Sequence, residues 1–159
     1  MVDSRNNLIQ GNVVLADDRW LAAVGIQLQG IGSVDNHLRQ NLIHSNQVAG
    51  IVIRDAGAGN VVADNTLLAN RRFGIDVQNT SEVWVEGNRV SYNRGFWGTT
   101  PGGTQPGLGL NLANLLKATV FDNRARSNTG TDLNWDGRGD NRVEANACET
   151  SVPAGACGR

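Results

Sequence analysis

Short apolar–polar alternations recur along this chain at nearly constant intervals. Ile9, Leu38, Val62, Val85, Val120 and Val143 each stand three positions before an asparagine: Asn12, Asn41, Asn65, Asn88, Asn123 and Asn146. Val14, Ile43, Leu67, Val90, Ala125 and Cys148 each stand two positions after it. Farther on comes a Gly-aliphatic-x-aliphatic stretch at Gly25 to Leu28, Gly50 to Ile53, Gly74 to Val77 and Gly109 to Leu112, and Asp132 to Trp135 takes the same place in the fifth unit. Alternation over three or four residues predicts strands, because a helix face needs apolar spacings of three and four. Each unit therefore predicts three short strands separated by corners.

The polar positions keep the same register. Five positions after the first Asn stands Asp17, Asn46, Asn70, Asn93 or Asn128, and five before it Asn7, Asn36, Asn60 or Asn141. The Asn-to-Asn spacings are 29, 24, 23, 35 and 23. The two long ones carry extra residues before the Gly stretch, and without them every unit is close to 23. A unit this short cannot bury its own apolar face, so units must stack. The physical solution is an all-β fold, a parallel β-solenoid of about five to six coils of roughly 23 residues, about 25 Å tall at strand spacing. Aliphatic columns fill its interior. Asn is expected at the corners, where it tolerates left-handed backbone angles, and stacked amides can bond from coil to coil as an asparagine ladder.

Composition agrees with one domain over residues 1–159, with insertions near 17–23 and 95–106 and a closing segment at 141–159. The 20 Gly and 19 Asn against 3 Pro fit frequent, regular turns. A net charge of −1 gives no basic field for nucleic acid. No apolar run approaches the roughly 18 residues of a membrane span. The chain enters the repeat within six residues of Met1 without a signal peptide. This reads as the C-terminal part of a longer protein, or as an open solenoid end capped by self-association. Cys148 and Cys157 are the only cysteines. Either they form a disulfide that staples the last coil, which fits an extracellular or periplasmic site, or they are free thiols with Cys148 filling its aliphatic column.

The N-x-x-x-x-N…G-I-x-V repeat resembles that of the right-handed parallel β-helix repeat proteins, the pectate-lyase-like superfamily. The ending Asp132-Leu133-Asn134-Trp135-Asp136-Gly137, followed by Asn141, Asn146, Cys148 and Pro153 to Cys157, looks like the closing segment of bacterial secreted or surface members. The resemblance implies a right-handed coil. Members include polysaccharide lyases, epimerases, glycoside hydrolases, adhesins and catalytically silent modules, so fold alone does not give activity. Phe73-Gly74-Ile75-Asp76-Val77-Gln78 resembles the Tyr-Gly-Phe/Ile-Asp-Pro-His signature of mannuronan epimerases, which would carry their catalytic Asp onto Asp76. Phe73 stands for its Tyr and Gln78 for its His.

Function is expected to concentrate where the repeat is interrupted. Both insertions precede a Gly stretch and so emerge on one edge. The first carries Asp17, Asp18, Arg19 and Trp20, and the second Phe96, Trp97, Thr99, Thr100 and Gln105. Between them the corners supply Gln47, Arg71 and Arg72. Alternation gives two outward columns: Gln27, Val52, Asp76, Asn111, Asn134, and Gln29, Arg54, Gln78, Ala113, Asp136. Aromatic walls with an Arg-bearing polar floor suit an acidic polysaccharide. The expected binding residues are Trp20, Phe96, Trp97, Arg54, Arg71, Arg72, Gln78 and Asn111. If the cleft is instead that of a lyase or epimerase, Asp76 or Arg72 is the base and Arg54 holds the carboxylate. A third expectation is a structural or adhesive stacking module without catalysis. His37 and His44 read as solvated corner residues. Asp132-x-Asn134-x-Asp136-Gly137 matches the start of a calcium loop, but Val143 stands where a bidentate carboxylate is needed. No metal or other cofactor is expected, with calcium a weak alternative. Arg138-Gly139-Asp140 carries no weight as a tripeptide motif.

Overall fold

The computed structural model describes residues 1–16, 23–95 and 106–158. Strands follow one another in threes. The first coil holds β1 (Leu8–Gln10), β2 (Val13–Leu15) and β3 (Val24–Gln29), the second β4 (His37–Arg39), β5 (Leu42–His44) and β6 (Ala49–Arg54). The third holds β7 (Val61–Ala63), β8 (Thr66–Leu68) and β9 (Phe73–Ser81), the fourth β10 (Trp84–Glu86), β11 (Arg89–Ser91) and β12 (Leu108–Leu116). β13 (Thr119–Phe121), β14 (Arg124–Arg126) and β15 (Leu133–Trp135) make the fifth, and β16 (Arg142–Glu144), β17 (Ala147–Cys148) and β18 (Ser151–Val152) the sixth.

Each strand pairs in parallel with its counterpart one coil away, giving three six-stranded sheets, β1-β4-β7-β10-β13-β16, β2-β5-β8-β11-β14-β17 and β3-β6-β9-β12-β15-β18. These are called the first, second and third sheets below. The observed registers are the columns read from the repeat: Ile9, Leu38, Val62, Val85, Val120 and Val143 align on the first sheet, and Val14, Ile43, Leu67, Val90, Ala125 and Cys148 on the second. They meet Ile26, Ile51, Ile75 and Leu110, and Leu28, Ile53, Val77 and Leu112, in one continuous interior core. Among the described residues there is no helix, and hence none long and apolar enough to cross a membrane.

The corner asparagines form ladders, but the left-handed residue is the one before them, except at Asn141, where it is Gly139. Positive φ falls on Asp35, Gln40, Ser45, Asp64, Ala69, Tyr92, Asp122, Ser127 and Ala145, each immediately preceding a ladder Asn. This corrects the expectation that Asn itself takes the left-handed angle. The turn at the preceding residue swings the Asn side chain inward, where Asn36, Asn60, Asn65, Asn70, Asn88 and Asn93 are completely buried. There the side-chain amides donate to the Oδ1 of the next Asn, to a backbone carbonyl, or to both. Asn65 Nδ2 reaches Asn88 Oδ1 at 3.0 Å and Leu38 O at 2.8 Å, for example. Buried backbone groups at a corner have no sheet partner, so the ladder supplies the bonds they would otherwise lack.

The column Gly25, Gly50, Gly74 and Gly109 is required by close approach, without any positive φ. A Cβ on Gly74 would sit 2.1 Å from Val90 Cγ1, 2.8 Å from the Gly109 carbonyl and 2.9 Å from Asn93 Nδ2. Asp132 stands in this column in the fifth coil, directed at the same place. Its Oδ1 accepts from the N–H and Nδ2 of Asn128, at 3.2 and 2.7 Å. Its Oδ2 accepts from the N–H of Glu149 and from the N–H and hydroxyl of Thr150, all at 3.1 Å. It therefore replaces the Asn that a further coil would contribute and ends the ladder. Cys148 and Cys157 form the disulfide, with Cα atoms 5.6 Å apart. It ties the segment after β18 to the end of the second sheet.

Candidate functional site

The outward face of the third sheet carries the residues singled out in the sequence. The registers align Gln27, Val52, Asp76, Asn111 and Asn134 in one column and Gln29, Arg54, Gln78 and Ala113 in the next. The structure brings four of the candidates into one network. Asp76 is completely buried. Its Oδ2 accepts from Arg54 Nε at 3.0 Å and Nη2 at 2.5 Å. Its Oδ1 accepts from Gln78 Nε2 and Asn111 Nδ2, both at 2.7 Å. Asn134 Nδ2 extends the chain to Asn111 Oδ1 at 2.7 Å.

This geometry bears on what Asp76 can do. Both carboxylate oxygens are occupied by donors and shielded from solvent, and a buried charge needs such partners. A general base must instead reach a proton on a bound substrate. Asp76 serves as the anchor that sets the angle of Arg54, whose side chain remains 41% exposed. Arg54 is thus fixed on one side and open on the other, an arrangement suited to receiving a carboxylate.

Arg71 and Arg72 lie half-buried at the corner before β9. Backbone bonds align Gln47, Arg71, Arg94 and Thr129 there, one residue per coil. The Arg72 guanidinium sits 5.2 Å from the centre of the Phe73 ring, within cation–π range, and its Nε is buried without a partner. Phe73 in turn packs with Ala49 and Val52, and with Val24, Val48 and Leu108, in a second apolar cluster separate from the interior. The outward face of the third sheet is therefore partly apolar, with Arg54 and Gln78 at its polar side. Trp20, Phe96 and Trp97 lie outside the described residues, as do Asp17, Asp18, Arg19, Thr99, Thr100 and Gln105.

The remaining motifs are absorbed by the fold. Among the described residues no group of three or more His, Cys, Asp and Glu is placed to hold a metal ion. Of the calcium-like stretch, Asp132 closes the ladder, and Asp136 accepts from the N–H groups of Asn114 and Arg138. His44 Nδ1 lies 3.2 Å from Ser45 Oγ, and His37 is half-buried on β4.

One feature escaped the reading of the sequence. The outward face of the second sheet holds a groove of about 630 Å³ lined by Thr66, Arg89, Ser91, Arg124, Arg126 and Glu149. The signal for it was present as Arg89-Val90-Ser91 and Arg124-Ala125-Arg126, each centred on an inward residue of one column. These strands carry no insertion, so the repeat pattern does not set them apart.

A family model described as the right handed beta helix region matches residues 1–148. Comparison with curated proteins gave no match, and comparison with solved structures gave none.

Proposed function

We propose, from the premise that this chain belongs to the right-handed beta helix family, that it binds an acidic polysaccharide along the outward face of its third sheet. The observation that carries the reading is Arg54, held by the sealed carboxylate of Asp76 and still 41% exposed. A pre-oriented guanidinium loses little freedom when it captures a uronate carboxylate. Gln78 stands beside it to bond hydroxyls, Asn111 is buried and braces the network from the next coil, and Arg71 and Arg72 add positive charge at the adjoining corner. Sugar rings would stack on Trp20, Phe96 and Trp97 of the insertions.

Engagement of both Asp76 oxygens favours binding over proton abstraction, so the lyase or epimerase reading is the weaker use of the same face. The Cys148–Cys157 disulfide fits an extracellular or periplasmic setting, in keeping with a bacterial secreted or surface module.

The test is titration of polygalacturonate, alginate and hyaluronate into the wild type and Arg54→Ala, with unsaturated product followed in parallel. Saturable binding weakened at least about tenfold by the substitution, one strong charged contact, is expected, without product. Wild-type affinity unchanged in Arg54→Ala would overturn the reading. Product formation lost in Asp76→Asn would replace it by the enzymatic one.

A further inference from the structure

The second sheet presents its outward side chains at the first and third positions of each strand. One column runs Thr66, Arg89, Arg124, Ala147 and the other Leu68, Ser91, Arg126. Parallel neighbours are about 4.8 Å apart, so Arg89 and Arg124 lie on successive coils directly alongside each other. Arg126 lies two residues farther along β14. Like charges on directly paired positions are destabilising.

Among the described residues three other cations are paired, Arg54 with Asp76, Lys117 with Glu82 and Arg142 with Glu144, whereas Arg71 and Arg94, stacked at the corner before the third sheet, are not. What sets the second sheet apart is that its arginines share one groove. No hydrogen bond or ion pair among the described residues engages the guanidinium of Arg89, Arg124 or Arg126. Glu149, at the C-terminal end of the groove, is 3.2 Å from the N–H of Ser127 through its Oε2. Three exposed guanidiniums thus converge, unpaired, on one concave site of about 630 Å³, in a chain whose net charge is −1.

We propose that this groove is an anion site that takes a tetrahedral phosphate or sulfate group. The group lies between Arg89 and Arg124, with Arg126 and the hydroxyls of Ser91 and Thr66 as further donors. A guanidinium presents a planar fork of N–H donors that pairs two oxygens at once. Two forks on successive coils, with a third beside them, call for three or four acceptor oxygens on one centre. A tetrahedral oxyanion has them, whereas a single carboxylate has two. The bound anion also removes the repulsion between Arg89 and Arg124, so ligand binding and coil stacking favour each other. Its source is either the free ion or an ester group on a larger molecule.

The site is on a different sheet from Arg54, and its test is separate from that of the third-sheet face. Thermal unfolding and calorimetric titration are run with inorganic phosphate, inorganic sulfate and heparin, against chloride at matched ionic strength. The proteins are the wild type, Arg89→Gln/Arg124→Gln, Glu149→Gln and Arg54→Ala. Phosphate or sulfate is expected to raise the wild-type midpoint saturably, and the double variant to bind at least tenfold more weakly. Without the anion the double variant should unfold no earlier than the wild type, which separates loss of a site from loss of the fold. Glu149→Gln should tighten binding, and Arg54→Ala should leave it unchanged. Heparin that binds more tightly than sulfate and is lost in the double variant supports the site with a polymer ester as source. Heparin no tighter than sulfate supports it with the free ion. The proposal is overturned by a wild type that responds to phosphate and sulfate no more than to chloride. It is equally overturned by a double variant that binds as the wild type does, or by loss of the response in Arg54→Ala.

Discussion

Replacing Asn88 by alanine tests the physical account of the ladder, because its partners are known on every side. Its Oδ1 accepts from the N–H and Nδ2 of Asn65, both at 3.0 Å. Its Nδ2 donates to Val62 O at 2.9 Å, to Glu86 O at 3.0 Å and to Asn123 Oδ1 at 2.9 Å. Asn65, Val62, Asn88 and Asn123 are all buried. Alanine leaves the Asn65 N–H, one bond of the Asn65 amide and the Val62 carbonyl without these partners. A buried group left unsatisfied costs about 1–3 kcal/mol. Because Asn65 Nδ2 keeps Leu38 O at 2.8 Å, the expected loss is about 3–5 kcal/mol.

Asn12 provides the comparison at the open end of the same ladder. It is exposed, and its side chain donates to Gln10 O and Asn41 Oδ1. Asn41 Oδ1 keeps the backbone N–H of residue 12 at 3.0 Å after truncation, and water reaches the rest. The expected cost of Asn12→Ala is therefore about 0.5–1 kcal/mol. Asn88→Asp should resemble Asn88→Ala, because a carboxylate cannot donate to Val62 O and Glu86 O. Asp132 is tolerated only where every neighbour is a donor. Urea unfolding followed by circular dichroism gives the three values by linear extrapolation. Equal losses for Asn12→Ala and Asn88→Ala, or a loss below about 1 kcal/mol at Asn88, would refute the account.

Three other outcomes are expected. Gly74→Ala should destabilise by at least about 2 kcal/mol, an overpacking cost, since its Cβ meets both Val90 Cγ1 and the Gly109 carbonyl. Gly137→Ala, with open space around it but φ +71, should cost only about 1 kcal/mol. Chemical denaturation of both variants separates the steric cause from the conformational one, and the reverse order would refute it. Reducing Cys148–Cys157, which encloses eight residues, should cost about 2–3 kcal/mol by the loop-closure relation. Hydrogen exchange should then rise first in β17 and β18 and leave β6 and β9 protected. The hydrogen bond from Arg142, aided by its charge, holds the Glu144 carboxyl below its ordinary pKa. The stability this gives is fully present above the unfolded value of about 4.3 and is lost as pH falls through the lower folded value. Glu144→Gln should therefore flatten the thermal midpoint against pH in that acid window. The effect is small because both groups are largely exposed, and an unchanged acid slope would contradict it.

The coils, the inward columns and the outward partners Asp76, Asn111, Arg54 and Gln78 were legible in the amino-acid pattern. Side-chain direction alternates along a strand, and a fixed repeat stacks equal positions, so register follows from spacing alone. The sequence likewise marked Asp132 as the residue standing in the glycine column of the fifth unit. Its purpose was hidden, because the five donors around it come from Asn128, Glu149 and Thr150, which only the closed corner gathers.

Tertiary structure decided three further matters. It moved the left-handed turn ahead of each ladder Asn, since a corner must turn before an inward amide can reach the next coil. It sealed Asp76 beneath Arg54, Gln78 and Asn111, with both carboxylate oxygens bonded. It also gathered Arg89, Arg124 and Arg126 into one groove across a gap of 35 residues between Arg89 and Arg124. Column spacing tells which residues share a rung, but whether a charged side chain finds a partner or faces a like charge depends on its reach across rungs. That reach is a property of the assembled sheet.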